Sequence, residues 1–556
     1  MRLICLLVLG IVTTGTNANT LVTGGPIYTS VSEMPTAEAV VYDGDRITFV
    51  GGLKAAQRFT DDKTEVIDLA GKTMTAGFIE SHGHIMGLGF SMQRLDLSDA
   101  TSWDEVVARV AAAASKAAPG EWITGRGWHQ SKWTPQPAKM VKGFQVHDKL
   151  SAATPDNPVY LVHASGHAAL ANSVAMQTAG INAETEFTGD GEVIKDEHSQ
   201  PTGIFNERAQ ELIAKHVPPP SEKQAREALA LALGEMASNG ITTFQDAGSG
   251  RQEIALIKQF LKEGKLTSRL WVMLAGWDEN LLLDWYRTGP EIGLGDNRLT
   301  IRAIKLIADG ALGSRGAWLL EPYADRPGHV GLPTMTPEYM QRVSEAAFQH
   351  NFQVCVHAIG DRANREVLDI FERVQSGRDQ GVRFRVEHAQ HLSPADIPRF
   401  GKLGVIASMQ GVHLSSDRPW AIDRLGKQRI EQGAYVWRKL VDSGAILING
   451  TDVPVEPINP IASFYALVTR KTLAGEPPGG YEPSQKLTRE EALASYTRHA
   501  AYGAFEEHIK GSIEAGKLAD FTVFDQDIMQ VDEDKLLETR VAATIVGGKV
   551  IYRRAP

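Results

Sequence analysis

Eight short apolar runs, each followed by a stretch with helical spacing, occupy much of the chain and leave few architectures open. They read MTAGFIESH from Met74, GITTFQDAG from Gly240, RLWVMLAG from Arg269, RAIKLIADG from Arg302, FQVCVHAIG from Phe352, RFRVEHAQ from Arg383, GVIASMQG from Gly404 and ILINGTDV from Ile446. Strand and helix alternating eight times is the pattern of a closed parallel barrel. We therefore expect an α/β fold with a (β/α)8 barrel of TIM type over residues 76–510. About 150 residues separate the first run from the second, far beyond an ordinary βα connection. Residues of about 90–220 are expected to form an inserted subdomain or an elaborate lid.

The two ends read differently. AEAVVYDGDRITFVGG from Ala37 and VAATIVGGKVIYRR from Val541 carry β-branched residues around Asp-Gly and Gly-Gly turn signals. Residues 19–75 and 511–556 are expected to assemble one small β-sandwich domain from both termini. Before them, Arg2 precedes an apolar run from Leu3 to Val12 and then small polar residues to Ala18. That is a secretory signal pattern over residues 1–18, too short to span a bilayer, and it implies an exported protein, periplasmic or secreted. Cys5 would leave with it, so Cys355 would remain alone and no intrachain disulfide could form. The competing reading is a buried first strand.

Composition narrows the partners. Against 57 Lys and Arg stand 67 Asp and Glu, a net charge of -10, which disfavours nucleic acid and anionic lipid. With 43% hydrophobic residues the chain can build a sizeable core without membrane spans. A small-molecule substrate fits this balance, and a homodimer is the default oligomer.

The chemistry lies where the apolar runs end. His82 and His84 are two residues apart, so an extended chain projects both imidazoles from one face. His357 ends FQVCVH, His388 ends RFRVEH, and Asp452 follows ILINGT. In a barrel the C-terminal strand ends converge on one pocket, so these residues become neighbours. Each alone reads as an ordinary polar residue at a loop start, and Asp452 in GTDVP as a turn carboxylate. Together, four imidazoles and a carboxylate are a donor set for one or two divalent ions, Zn²⁺ first, with Fe²⁺, Mn²⁺, Co²⁺ or Ni²⁺ as alternatives. Such an ion acidifies a bound water and polarises a carbonyl, while Asp452 can move the proton to the leaving group. The expected reaction is hydrolysis of an amide-like C–N bond, with N-acyl and N-formyl amines as candidate substrates. Ester or lactone hydrolysis is the nearest rival, and a non-catalytic secreted binding protein on the same barrel is a third reading.

These residues lie in motifs that resemble the amidohydrolase superfamily, in particular the amidohydrolase-3 or YtcJ-like group. The motifs are GFIESHGH at His82 and His84, IKLIADGALGSRGA at Lys305, VHAIGDRAN at His357, VEHAQ at His388, GTDVPVEP at Asp452 and the closing GSIEAGKLADFTVFD. The resemblance implies that His82, His84, His357 and His388 bind metal and that Asp452 is both ligand and proton shuttle. It also implies a metal-site role for Lys305, as a carboxylated lysine bridging two ions. The alternative for Lys305 is an ion pair with an acidic neighbour such as Asp309.

Two positions depart from the group's pattern: Glu80 stands where Asp is usual, and His129 in GRGWHQSKW where Asp is more familiar. His129, His167 and Arg315 are candidate substrate contacts, and His163 belongs to the same histidine-rich stretch. For the histidines the competing reading is ordinary loop hydrogen bonding, and for Arg315 a structural salt bridge. Trp128 and Trp133 read either as an aromatic substrate wall or as core.

Overall fold

The computed structural model describes residues 19–164, 166–188, 191–376 and 381–555, so the expected signal segment, with Cys5, lies outside the described residues. The chain divides into two compact units, one running to Ile85 and resuming at Leu233, the other spanning Met86–Ala232.

All eight expected strands form in the first unit. They are β1 (Phe78–Gly83), β2 (Ile241–Ser249), β3 (Arg269–Ala275), β4 (Leu299–Ile307), β5 (Gln353–Ala358), β6 (Arg385–His388), β7 (Ile406–Met409) and β8 (Leu447–Asn449). Neighbours in sequence are neighbours in the sheet, and every pair along this path is parallel. The strands read as continuous apolar runs because both faces are covered. Trp271, Met273, Ala303 and Cys355 share one buried cluster.

Between β8 and β1 the ladder continues through the segment after β8. Asp452 N donates to His82 O, and His84 N to Val453 O, each at 2.8 Å. Gly450 permits this approach, since a Cβ there would lie 2.7 Å from His82 N. The barrel is thus stitched shut at the end that carries the histidines.

Both chain ends contribute to one eight-stranded sheet in the same unit. Thr73–Ala76 pairs antiparallel with Phe521–Phe524, joining the N-terminal strands to the C-terminal ones. The sheet curls around its own core: Ile47 N donates to Lys517 O at 2.9 Å, and Val22, Val40, Ile47, Val523 and Ile545 share a single apolar cluster. Gly547 and Gly548, with φ of 58° and 73°, make the tight hairpin read from Gly-Gly. Arg269, at the start of β3, grips Asp520 beside this sheet through bonds of 2.7 and 2.9 Å.

The Met86–Ala232 unit has its own six-stranded sheet, ordered Gly191–Lys195, Pro201–Glu207, Ala168–Ala171, Val159–His163, Ile123–Trp128 and Leu95–Asp96. Trp103, Trp128 and Trp133 are buried together in its core. Trp128 donates Nε1–H to Leu161 O at 2.9 Å. These tryptophans are core and not a substrate wall.

Candidate metal centre

A histidine at a strand end is placed by the strand's pairing on both sides, so its imidazole inherits the rigidity of the sheet. His82 lies in β1, His357 in β5, His388 closes β6 and Lys305 lies in β4. His84 and Asp452 follow β1 and β8 and are held by the seam just described. His388 and Asp452 both adopt left-handed backbone, with φ of 75° and 58°. That conformation costs a non-glycine residue about 1 kcal/mol and is common where function dictates geometry.

The side chains meet. Asp452 Oδ1 is 3.1 Å from His84 Nε2 and 3.5 Å from His82 Nε2, and the three residues offer ligand atoms within 4.8 Å of one another. The His388 ring lies 4.8 Å from that of His82 and 4.5 Å from that of His357, both edge-on. Lys305 Nζ stands 3.3 Å from His82 Nε2.

Buried Asp452 Oδ1 and His357 Nε2 have no hydrogen-bond partner. Orphaned buried polar atoms are costly unless a ligand satisfies them. Nitrogen and oxygen donors left open in this way fit a divalent cation such as Zn²⁺.

The other ring nitrogens are occupied. His82 Nδ1 is 2.5 Å from Glu387 Oε2, and His388 Nδ1 is 2.7 Å from Gln410 Oε1. Glu387 is fully buried and forked by Arg385 at 2.7 and 3.1 Å. Arg385 also donates to Ser81 O and Ser408 Oγ. With Nδ1–H donated outward, Nε2 of both histidines keeps its lone pair for the site. Glu387 lies inside VEHAQ but its type alone does not single it out there, and Arg385 and Gln410 lie outside the family motifs, because polar residues inside or just after a strand look like ordinary alternation.

Glu80, the departure from the usual Asp, has a structural task. Its carboxylate accepts from Thr451 N at 2.8 Å, Thr451 Oγ1 at 3.0 Å and His82 N at 3.1 Å. The longer side chain bridges β1 to the segment after β8. Asp309 accepts from the backbone amides of Trp318, Ile359 and Gly360 and faces His357 Nε2 at 3.4 Å. It does not pair with Lys305, and among the described residues no carboxylate lies within ion-pair distance of that lysine.

Burial, then the charge of Lys305, pulls His82 down to about 4, and burial with His357 and His82 holds His388 well below the usual imidazole range. Both are neutral, the form a metal requires. Burial pushes Lys305 below the usual amine range. For Asp452 burial works upward, but the nearby His84, His82 and His388 hold it well below the usual carboxylate range. Burial likewise opposes ionisation of Glu387, and Arg385 and His82 outweigh it.

Each candidate substrate contact has a local partner. Arg315 is engaged by Asp325 at 3.1 and 2.7 Å, which gives it the salt-bridge role. His129 and His167 belong to the Met86–Ala232 unit. There His129 Nδ1 meets Ser131 Oγ at 2.7 Å and its ring lies 4.6 Å from that of His163. His167 is exposed and meets Glu207 at 3.0 Å.

Comparison with known proteins agrees with this arrangement. The model of the Amidohydrolase family matches residues 65–552. Protein LONG AFTER FAR-RED 3 of Arabidopsis thaliana is 34% identical over 551 residues, covering 97% of this chain and 92% of its own. Putative amidohydrolase YtcJ of Bacillus subtilis is 32% identical over 545 residues, covering 96% and 99%. N-substituted formamide deformylase of Arthrobacter pascens is 26% identical over 537 residues, covering 93% and 95%. A solved metal-dependent hydrolase from Pyrococcus horikoshii, itself uncharacterized, superposes with a TM-score of 0.76 at 27% identity over 93% of this chain and 99% of that one. The family match spans most of the chain and the barrel mouth carries the donors that such chemistry needs, so this protein belongs to the Amidohydrolase family and is a metal-dependent hydrolase.

Proposed function

We propose that the protein hydrolyses the C–N bond of a small amide, an N-acyl or N-formyl amine. The observation that carries this reading is the place of Asp452: ionised, 3.1 Å from His84, and with Oδ1 left open. His82, His84, His357, His388 and Asp452 would hold the ion or ions. When bound, a divalent cation supplies an acidified water and polarises the substrate carbonyl. Asp452 takes the proton of the attacking water and delivers it to the leaving nitrogen as the C–N bond breaks. The chain's similarity to N-substituted formamide deformylase supports the amide class over the ester or lactone class. We further propose Zn²⁺ as the ion, from the imidazole-rich donor set, a carboxylated Lys305 bridging two ions, and export directed by residues 1–18.

The test is a paired assay of metal-loaded protein on N-formyl and N-acyl amines and on esters with the same acyl group. Faster turnover of the amides supports the reading. Turnover of esters alone replaces it with the ester reading, and no turnover of either after metal loading defeats it.

A further inference from the structure

One imidazole at the barrel mouth is used by none of the roles above. His413 lies in the first turn of the helix Gly411–Leu425, which follows β7 directly. That turn is fixed from two sides: Gly411 N donates to Asn449 Oδ1 at 2.9 Å and Val412 N to Ser463 Oγ at 3.1 Å. Gln410, three residues before His413, holds His388 Nδ1. The His413 ring lies nearly parallel to that of His388, at 11° and 6.3 Å between centroids. It is 9% exposed, and its buried Nε2 has no hydrogen-bond partner.

A buried imidazole nitrogen without a partner is costly, so it persists where a ligand completes it. Among the described residues, Asp452 Oδ1, His357 Nε2 and His413 Nε2 are such atoms at this end of the barrel. The first two belong to the proposed metal donors. His413 is set farther from His388 than His82 and His357 are, which lie at 4.8 and 4.5 Å. It therefore lies a step outside the donor cluster. Next to His413 on the helix, Asp417 accepts from Gln390 Nε2 at 2.7 Å and Tyr435 Oη at 3.3 Å, so the ring is backed by a polar wall with its own partners.

We propose that His413 is a catalytic residue that donates Nε2–H to the carbonyl oxygen of the substrate. The proposal rests on the reading of this site as a hydrolytic centre for acyl compounds. As water oxygen bonds to the acyl carbon, the carbonyl π pair moves onto the carbonyl oxygen, and a donor already in place there stabilises the growing charge. When C=O re-forms, the C–N bond breaks and its electron pair leaves with nitrogen, which takes the proton carried by Asp452. His413 gains and loses no proton. Its hydrogen bond strengthens as the charge grows and so lowers the barrier more than it tightens ground-state binding.

The experiment compares metal-loaded wild type with His413→Phe, which keeps the ring's shape, and His413→Gln, which restores an N–H. Metal per chain, formate binding by calorimetry, and kcat and KM for an N-formyl amine and its ester counterpart are measured together. We expect His413→Phe to keep the wild-type metal content and to lose kcat by about 10²–10³-fold, with a smaller change in KM. Formate affinity should fall by about tenfold, and His413→Gln should recover part of both losses. Loss of metal in His413→Phe would make it a metal ligand and overturn the proposal, as would unchanged kcat. Wild-type activity on the ester alone would refute the amide reading but leave this inference standing, provided His413→Phe slows that reaction too. Wild type inactive on both compounds would sink both.

Discussion

The carboxylate of Glu387 lies 2.5 Å from Nδ1 of His82, while Arg385 closes on the same carboxylate from behind. The arginine keeps Glu387 ionised, the ionised carboxylate accepts the hydrogen bond from Nδ1–H, and that tautomer turns the Nε2 lone pair toward Asp452 and Lys305. We expect Glu387→Gln, whose amide can satisfy only part of this arrangement, to weaken metal binding by roughly ten- to a hundredfold. A competition titration with a chromophoric chelator measures it. Unchanged affinity would show that the strand alone sets the ring.

Asp452 sits in left-handed backbone, a conformation Asn tolerates well. Asp452→Asn should therefore fold with near-wild-type stability and keep much of its metal, yet lose turnover, because an amide cannot carry the proton. His82→Ala combined with His84→Ala should lose metal and activity together, and exhaustive chelation of the wild type should reproduce that loss reversibly. Elemental analysis beside the hydrolysis assay decides, and retained activity in the double variant would refute the mechanism.

Lys305 is buried with no carboxylate in ion-pair range among the described residues, and burial pushes its amine toward the neutral form. A neutral amine is the form that adds CO2. We expect intact-mass analysis under gentle conditions to show a labile carbamate. Lys305→Ala should lower the metal content from about two ions per chain to about one. An unmodified lysine with one ion would assign the site to the mononuclear mechanism.

Burial pushes Glu80 up to about 8 against its hydrogen bonds from Thr451 and His82. A carboxyl whose folded pKa lies above its unfolded value of 4.5 holds its proton in the folded state. Its contribution is fully present below pH 4.5 and is lost as pH rises through 8. The metal-free protein should thus lose stability over that window, by at most about 1.4 kcal/mol per pH unit from this group. Glu80→Gln should flatten the slope in denaturant titrations, and an unaltered slope would assign it to other groups.

Arg269 and Asp520 are both buried and joined by two hydrogen bonds, with Asp520 also accepting from Gly547 N. Replacing one partner strands the other charge. Arg269→Met should cost roughly 3–5 kcal/mol in chemical denaturation. A loss under 1 kcal/mol would mean that Asp520 finds water instead.

Much of the barrel was legible because its strands, covered on both faces, stand out as unbroken apolar runs, and because the chemistry is written at their ends. His82, His357, His388 and Asp452 could be picked out by position alone. Glu387 could not: within RFRVEH it has the alternation expected of any strand, and its partner His82 is 305 residues away. His413 was hidden for a similar reason, being placed by a helix whose register no motif announces. For Arg315 the sequence left a substrate contact and a structural salt bridge both open, and Asp325, ten residues later, supplies the salt-bridge partner. The strands of the six-stranded sheet in the Met86–Ala232 unit are short and mostly pair antiparallel, so the sequence there reads as a long connection.

The seam between β1 and the segment after β8 has a consequence for biosynthesis. The hydrogen bonds from Asp452 N to His82 O and from His84 N to Val453 O join residues made early in translation to residues made late. A nascent chain that ends before this segment already carries all four histidines but has neither the proton carrier nor the strap that fixes the first pair. On the proposed mechanism catalytic competence would arrive all at once with ring closure, and an aborted or clipped product would be silent rather than partly active.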